Sequence, residues 1–229
     1  MAPKILIVLT SHDQMGTSGK PTGWYLPELA HPYDAFVKAG IEMDFASPKG
    51  GHAPLDPASV ELFKEDASST SFLNEHKDLW ETTRPLSELA SSSPAAADKY
   101  DAIFYPGGHG PMYDLANDTT SQKLIAEFAA KGKIVAAVCH GPAAFVNVKG
   151  LLEGKEVTGF SNAEEDQVQL SQYMPFMLED ALQKASGGKY VKAAESWSEN
   201  VVVSGNVITG QNPGSAHKIG EEIVKALKA

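Results

Sequence analysis

Short apolar runs alternate along this chain with longer stretches in which apolar residues recur every three or four positions. Three of the runs, "KILIVLT" (4 to 10), "DAIFYPGG" (101 to 108) and "KIVAAVC" (133 to 139), stop at glycine or small polar residues ahead of a helix-like stretch. Runs of this length predict buried parallel strands that feed crossover helices. "IEMDFAS" (41 to 47) has the same character. Before it, Leu26, Leu29, Ala30, Tyr33 and Val37 share one helical face that Gly40 ends, with Pro32 expected to kink or divide the helix. Leu124, Ile125 and Phe128 form another helical stripe, and Ile219, Ile223, Val224 and Leu227 give the last helix its core face. The alternation is βαβ, which predicts an α/β fold.

Residues 48 to 97 break this rhythm with five prolines and two serine-rich runs around a modest helical segment from Phe72 to Trp80. An interruption that long predicts a cap or flap over the strand ends. Farther on, "NVVVSGNVITG" (200 to 210) predicts a hairpin turning at Gly205 and Asn206, and "KEVTGF" (155 to 160) predicts one more strand. No internal repeat or linker divides the chain, so its 229 residues are expected to form one domain over 1–229.

Composition narrows the field of partners. A formal charge of −10 and a sequence pI near 5.1 oppose binding of nucleic acid or anionic lipid. The longest early apolar run, Ile5 to Leu9, is too short for a signal-peptide core or a membrane span. Small molecules and proteins are left as partners. One cysteine permits no internal disulfide, which fits a reducing compartment, the cytoplasm or the nucleus, and leaves a free thiol to be explained.

That thiol, Cys139, stands where a strand ends, followed by His140, Gly141 and Pro142. The carboxyl edge of a parallel sheet is where open α/β folds build their sites. If Gly141 and Pro142 start a helix, its positive end favours the thiolate, and such cysteines titrate well below their usual value of about 8.5. A free cysteine is by default a small buried hydrophobe; the strand end, the adjacent histidine and the Gly-Pro start together outweigh that default. "YPGGHGPM" (105 to 112) also follows a strand, and its glycines allow backbone amides to face developing negative charge. Glu28 lies off the apolar helical face, which by periodicity alone makes it a solvated helix-start acid. Glu164, Glu165 and Asp166 form an acidic cluster that either caps a helix or orients an imidazole. His12, His31, His52 and His76 lie where surface or capping roles are at least as well supported as catalysis. There is no GxGxxG, no Gly-Lys-Ser/Thr loop, no CxxC and no HExxH, so neither a nucleotide cofactor nor a metal is expected.

"AAVCHGPA", "GGHG", "PELAHP" and "TGQNPGSA" in this order resemble the ThiJ/PfpI superfamily, in its glyoxalase III and heat-shock chaperone branch. The resemblance implies a flavodoxin-like, doubly wound and mostly parallel sheet with helices on both faces, a homodimer, and no cofactor. It implies Cys139 as nucleophile, His140 as its acid–base partner, and Glu28 projecting beside the thiol rather than into solvent. Glu165 is taken as the acid orienting His140. Gly108 and His140 amides are taken to form an oxyanion hole, with His109, Trp24 and Tyr25 lining the substrate pocket. The implied reaction converts methylglyoxal, a small dicarbonyl, to lactate without glutathione. The same branch also implies a holdase for unfolded clients. The thiol equally suits a cysteine hydrolase or deglycase, or a redox sensor.

Overall fold

The computed structural model describes residues 2–228. Its centre is a seven-stranded sheet of β1 (Lys4–Val8), β2 (Glu42–Ser47), β3 (Arg84–Pro85), β4 (Ala102–Tyr105), β5 (Ile134–Val138), β6 (Val201–Ser204) and β7 (Val207–Gly210). The spatial order is β3-β2-β1-β4-β5-β7-β6, and every pairing is parallel except that of β6 with β7. Strands β4 and β5 are buried along their whole length, as their continuous apolar runs require. From β1 the chain winds one way to β2 and then crosses to β4 on the other side. The order reverses between β1 and β4, the kind of switch point at which open α/β sheets place their sites at the carboxyl ends of the strands.

The helices are α1 (Leu26–Lys38), α2 (Pro57–Leu62), α3 (Ala67–Glu75), α4 (Lys77–Glu81), α5 (Leu86–Ala90), α6 (Ala96–Lys99), α7 (Thr119–Ala130), α8 (Asn162–Gln167), α9 (Leu178–Ala185) and α10 (Ala216–Lys228). Helix α1 packs against α10, which also covers β5 and β7, and α7 packs on β4, β5, α5 and α6. The contact of α1 with α10 is close because Gly220 has no side chain; a Cβ there would lie 2.8 Å from Pro32 Cα.

Several local expectations are corrected. Pro32 does not divide α1, which runs through all 13 residues; the lost amide frees only the Glu28 carbonyl near the first turn. Phe36, not Val37, completes the buried face of that helix, and Val37 is exposed. The Phe72 to Trp80 helix is two helices broken at His76. Residues 155 to 160 form no strand: Val157 makes one isolated bridge to Tyr190, and the amides of Thr158 and Phe160 turn instead to Thr209 Oγ1 and the Cys139 carbonyl. The hairpin at Gly205, where φ is +65°, is as expected. Residues 48 to 97 supply α2 to α5 and the edge strand β3, and bury Phe72, Trp80, Leu86 and Leu89 in the main core.

Candidate active site

Strand β5 ends at Cys139, whose φ of +61° is in the left-handed region that non-glycine residues rarely enter. The strain, of order 1–3 kcal/mol, is sustained by the fixed backbone on both sides: the Cys139 amide donates to the Gly210 carbonyl at 2.9 Å, and the Phe160 amide donates to the Cys139 carbonyl at 2.9 Å. Gly141 follows because the turn passes against β4; a Cβ there would lie 2.2 Å from the Tyr105 carbonyl oxygen. What comes next is a 3₁₀ turn over Gly141–Phe145, not an α-helix. The helix dipole expected to stabilise the thiolate is therefore missing, and the sulfur faces the Gly108 amide instead.

Glu28 lies in the first turn of α1 and is fully buried, which corrects the periodicity reading of a solvated acid. Its Oε2 accepts the Gly107 amide at 2.9 Å, while Oε1 has no partner of hydrogen-bonding geometry. Gly107 has to be glycine, since a Cβ would come within 2.6 Å of Glu28 Oε2 and 2.8 Å of Cys139 Cβ. Gly108, at φ +84°, would place a Cβ 2.3 Å from the Gly23 carbonyl oxygen. Burial pushes the Glu28 carboxyl up to about 8 against the opposing interactions with the thiol and the Gly107 amide. Burial, and after it the Glu28 charge, pushes the Cys139 thiol up. Each group thus resists ionising, most of all beside the ionised other, so the pair keeps two protons below about 8 and gives up one of them above it.

On the other side of the sulfur, Cys139 Sγ lies 3.3 Å from His140 Nδ1, and His140 Nε2 lies 2.6 Å from Glu165 Oε2. Burial works against the ionised Glu165, but the interactions with His140 and His109 override it and hold the carboxyl well below its ordinary range. An ionised carboxylate only accepts, so His140 Nε2 carries the proton and Nδ1 presents its lone pair to the sulfur. Burial, and then the neighbouring His109, lower the His140 pKa and keep the ring neutral. Cys139, His140 and Glu165 therefore lie in series, thiol to imidazole to carboxylate, the geometry that a nucleophile, a base and an orienting acid require.

Two expected site residues are placed differently. His109 does not offer its ring as a pocket wall: its Nε2 donates to Glu165 Oε1 at 2.9 Å, and the ring stands 4.2 Å from that of His140. The Trp24 indole is fully buried against Phe72 and Trp80 and donates to the Ala53 carbonyl, so it packs the core and cannot touch a substrate. Its neighbour Tyr25 is the aromatic side chain close enough to sense Glu28 and Cys139. The thiol itself is 3 % exposed, so access to it is narrow. His31 pairs with Asp66, and His12 stacks on Tyr113.

The acidic cluster divides three ways. Asp166 is exposed, Glu165 serves the histidines, and Glu164 is a buried anchor. Glu164 Oε2 accepts from the Ser161 amide and hydroxyl in a capping box, and Oε1 accepts from the Trp197 amide, Gln211 Nε2 and Asn212 Nδ2. The signal for this role was in the sequence, as Ser161 followed three residues later by an acid. Through it Glu164 holds Trp197 at φ +67°, and Trp197 packs edge-on against Phe160, whose ring lies tilted against that of His140. Glu164→Ala leaves buried donors without an acceptor, and at about 1–3 kcal/mol for each unsatisfied group the loss is expected to reach roughly 3–5 kcal/mol. Urea unfolding measures it, with Asp166→Ala, expected within about 0.5 kcal/mol of the wild type, as the control.

A strained cysteine at the carboxyl edge of a doubly wound sheet, with an imidazole–carboxylate pair on one side and a buried carboxyl on the other, defines a class of α/β proteins built around a nucleophile elbow. Residues 23–226 match the model of the DJ-1/PfpI family, and the chain belongs to that family. It is 32% identical over 240 residues to the glutathione-independent glyoxalase HSP31 of Saccharomyces cerevisiae, covering 100% of both chains. It is 32% identical over 235 residues to glyoxalase 3 of Candida albicans, covering 98% of each. Among solved structures it superposes on Rapid Encystment Protein 24 KDa of Francisella tularensis with a TM-score of 0.90 at 38% identity, covering 98% of this chain and 99% of that one. Glyoxalase III of Candida albicans matches with a TM-score of 0.86 at 29% identity, covering 98% and 97%.

Proposed function

We propose that this protein is a glutathione-independent glyoxalase that converts methylglyoxal, or a similarly small dicarbonyl, to the 2-hydroxy acid. The observation that carries the reading is the pair Glu28–Cys139: a buried carboxyl with an unpartnered oxygen beside a nucleophile is suited to moving protons on a small adduct. Full-length similarity to proteins named glyoxalases supports the same reading.

Cys139 sulfur attacks the aldehyde carbon, and its proton passes to Glu28 or to His140 Nδ1. The new oxyanion is held by the backbone amides of Gly108 and His140 and takes a proton to give the hemithioacetal. Glu28, then a carboxylate, removes the hydrogen of the former aldehyde carbon, and the carbonyl oxygen next to it is protonated, which gives an enediol. Reprotonation on the second carbon and loss of the hydroxyl proton on the first produce a thioester. Water cleaves the thioester with His140–Glu165 as base, which releases lactate and restores the thiol. One carbon is oxidised and its neighbour reduced, so the electrons balance within the substrate. The narrow approach to the sulfur favours a small substrate over a protein side chain, and residues 48–97 serve in this reading as one wall over the strand ends.

Purified protein incubated with methylglyoxal and no added thiol is expected to form lactate in step with methylglyoxal loss. Consumption of methylglyoxal without lactate, leaving only adducts on arginine and lysine, would overturn the assignment.

A further inference from the structure

Glu165 spends one oxygen on each of two imidazoles, and both contacts run through Nε2: His109 at 2.9 Å to Oε1 and His140 at 2.6 Å to Oε2. One carboxylate suffices to orient one base, so the second histidine is not needed for the acid–base series described above. Among the described residues, His109, His140 and Glu165 bring ligand-type atoms within 4.8 Å of one another. We propose that this cluster is a binding site for Zn²⁺ and that the ion, once bound, shuts the thiol's base off.

The donor set is two imidazole nitrogens and one carboxylate, the three-ligand arrangement that zinc takes when its fourth position is left to water or substrate. Zinc–nitrogen bonds of about 2.0–2.1 Å in a tetrahedron place the two nitrogens roughly 3.3 Å apart, inside the spread of the cluster. The three ligands come from separate segments, after β4, after β5 and in α8. Each is fixed before any ion arrives: His109 and His140 lie ring against ring, Phe160 lies 4.4 Å from the His140 ring, and the capping box at Ser161 sets the start of α8. With neutral imidazoles the cluster carries one negative charge, and it is almost dry, which strengthens attraction for a dication.

The sulfur is outside this coordination sphere. It faces His140 Nδ1, on the opposite side of the ring from Nε2. When zinc takes Nε2, the single N–H proton of the neutral ring moves from Nε2 to Nδ1, so the ring stays neutral and the thiol keeps its own proton. Cys139 is then hydrogen-bonded by a donor, the outer-shell partner that metal-bound imidazoles usually keep. The ring can no longer accept the thiol proton, so the cost of binding is loss of the base while the nucleophile stays unligated.

Cobalt(II), titrated into the metal-free full-length protein, reports the site by its visible ligand-field bands. The bands are expected in the wild type without a near-ultraviolet thiolate charge-transfer band, and are expected to persist in Cys139→Ala. His109→Phe, which keeps a ring but no ligand, is expected to weaken cobalt binding by at least about 100-fold, more than the 10–100-fold that loss of an outer-shell partner costs. Zinc is expected to displace cobalt from the wild type. It is also expected to slow lactate formation, with EDTA restoring the rate, and only that last arm depends on the glyoxalase reading. Absence of visible bands in the wild type, or bands that vanish in Cys139→Ala and carry thiolate charge transfer, would overturn the site. If His109→Phe fails to fold by circular dichroism, the wild-type and Cys139→Ala spectra still decide.

Discussion

Cys139→Ala is expected to abolish lactate formation, lowering kcat/KM by at least about 10⁴-fold, or some 5 kcal/mol of transition-state stabilisation. The size follows from the number of steps that pass through the sulfur. It forms the adduct, holds the enediol in place and leaves as the thiolate of a thioester. Removing it also removes the bond that keeps the substrate beside Glu28, so the remaining acids have nothing to act on. Folding should survive, because the thiol occupies a place in the apolar core that alanine also fits, and the strained φ of +61° belongs to the backbone rather than to the sulfur. Circular dichroism and a thermal melt check the fold, and a direct lactate assay reads the activity. Retention of more than about 1% of wild-type activity by a folded Cys139→Ala protein would remove the thiol from the mechanism, whatever its geometry.

Glu28→Gln is expected to lose about 10²–10⁴-fold in kcat/KM, the range general acid–base groups contribute, while iodoacetamide still alkylates Cys139. The amide keeps the shape and the hydrogen bond to the site but cannot shuttle a proton between two carbons. With the carboxyl held at about 8, kcat/KM of the wild type should climb with pH through that value, as the pair passes from two protons to the one it shares in the reactive form. In Glu28→Gln this limb should move or disappear. Stability supplies an independent check with a defined sign. A carboxyl whose folded pKa is raised binds more protons in the native state between about 4.5 and 8, so it destabilises the fold progressively as pH rises through that window. Glutamine carries no such penalty, and Glu28→Gln should melt higher than the wild type toward pH 8. A variant that is inactive, equally stable at every pH and unreactive to alkylation would instead mark Glu28 as a structural support of the elbow.

These two residues also show where reading the chain alone succeeds and where it stops. Cys139 was legible because its signals are local: an apolar strand, a histidine, and a Gly-Pro turn in consecutive positions. Glu28 was not legible from periodicity, which compares a residue only with its own helix. Leu26, Leu29 and Ala30 define a face toward the sheet, and Glu28 lies off that face, yet the glycine loop after β4 covers it from above. The resemblance to a known family pointed to the right orientation where the helical pattern pointed to solvent. Trp24 shows the converse: an aromatic residue at a helix start either lines a pocket or packs, and here the core claims it.

The sequence by itself determined the βαβ order, the parallel strands with their buried runs, the hairpin at Gly205, and the placement of a single thiol at a strand end. Each of these follows from spacing within one segment, where covalent geometry fixes which residues share a face. Only the tertiary structure decided which of Glu164, Glu165 and Asp166 faces the histidines, that His109 shares the same carboxylate, and that the turn after Cys139 is too short to supply a helix dipole. Those facts depend on segments more than twenty residues apart meeting at one sheet edge. No local pattern records such a meeting, because the packing that produces it is a property of the whole core.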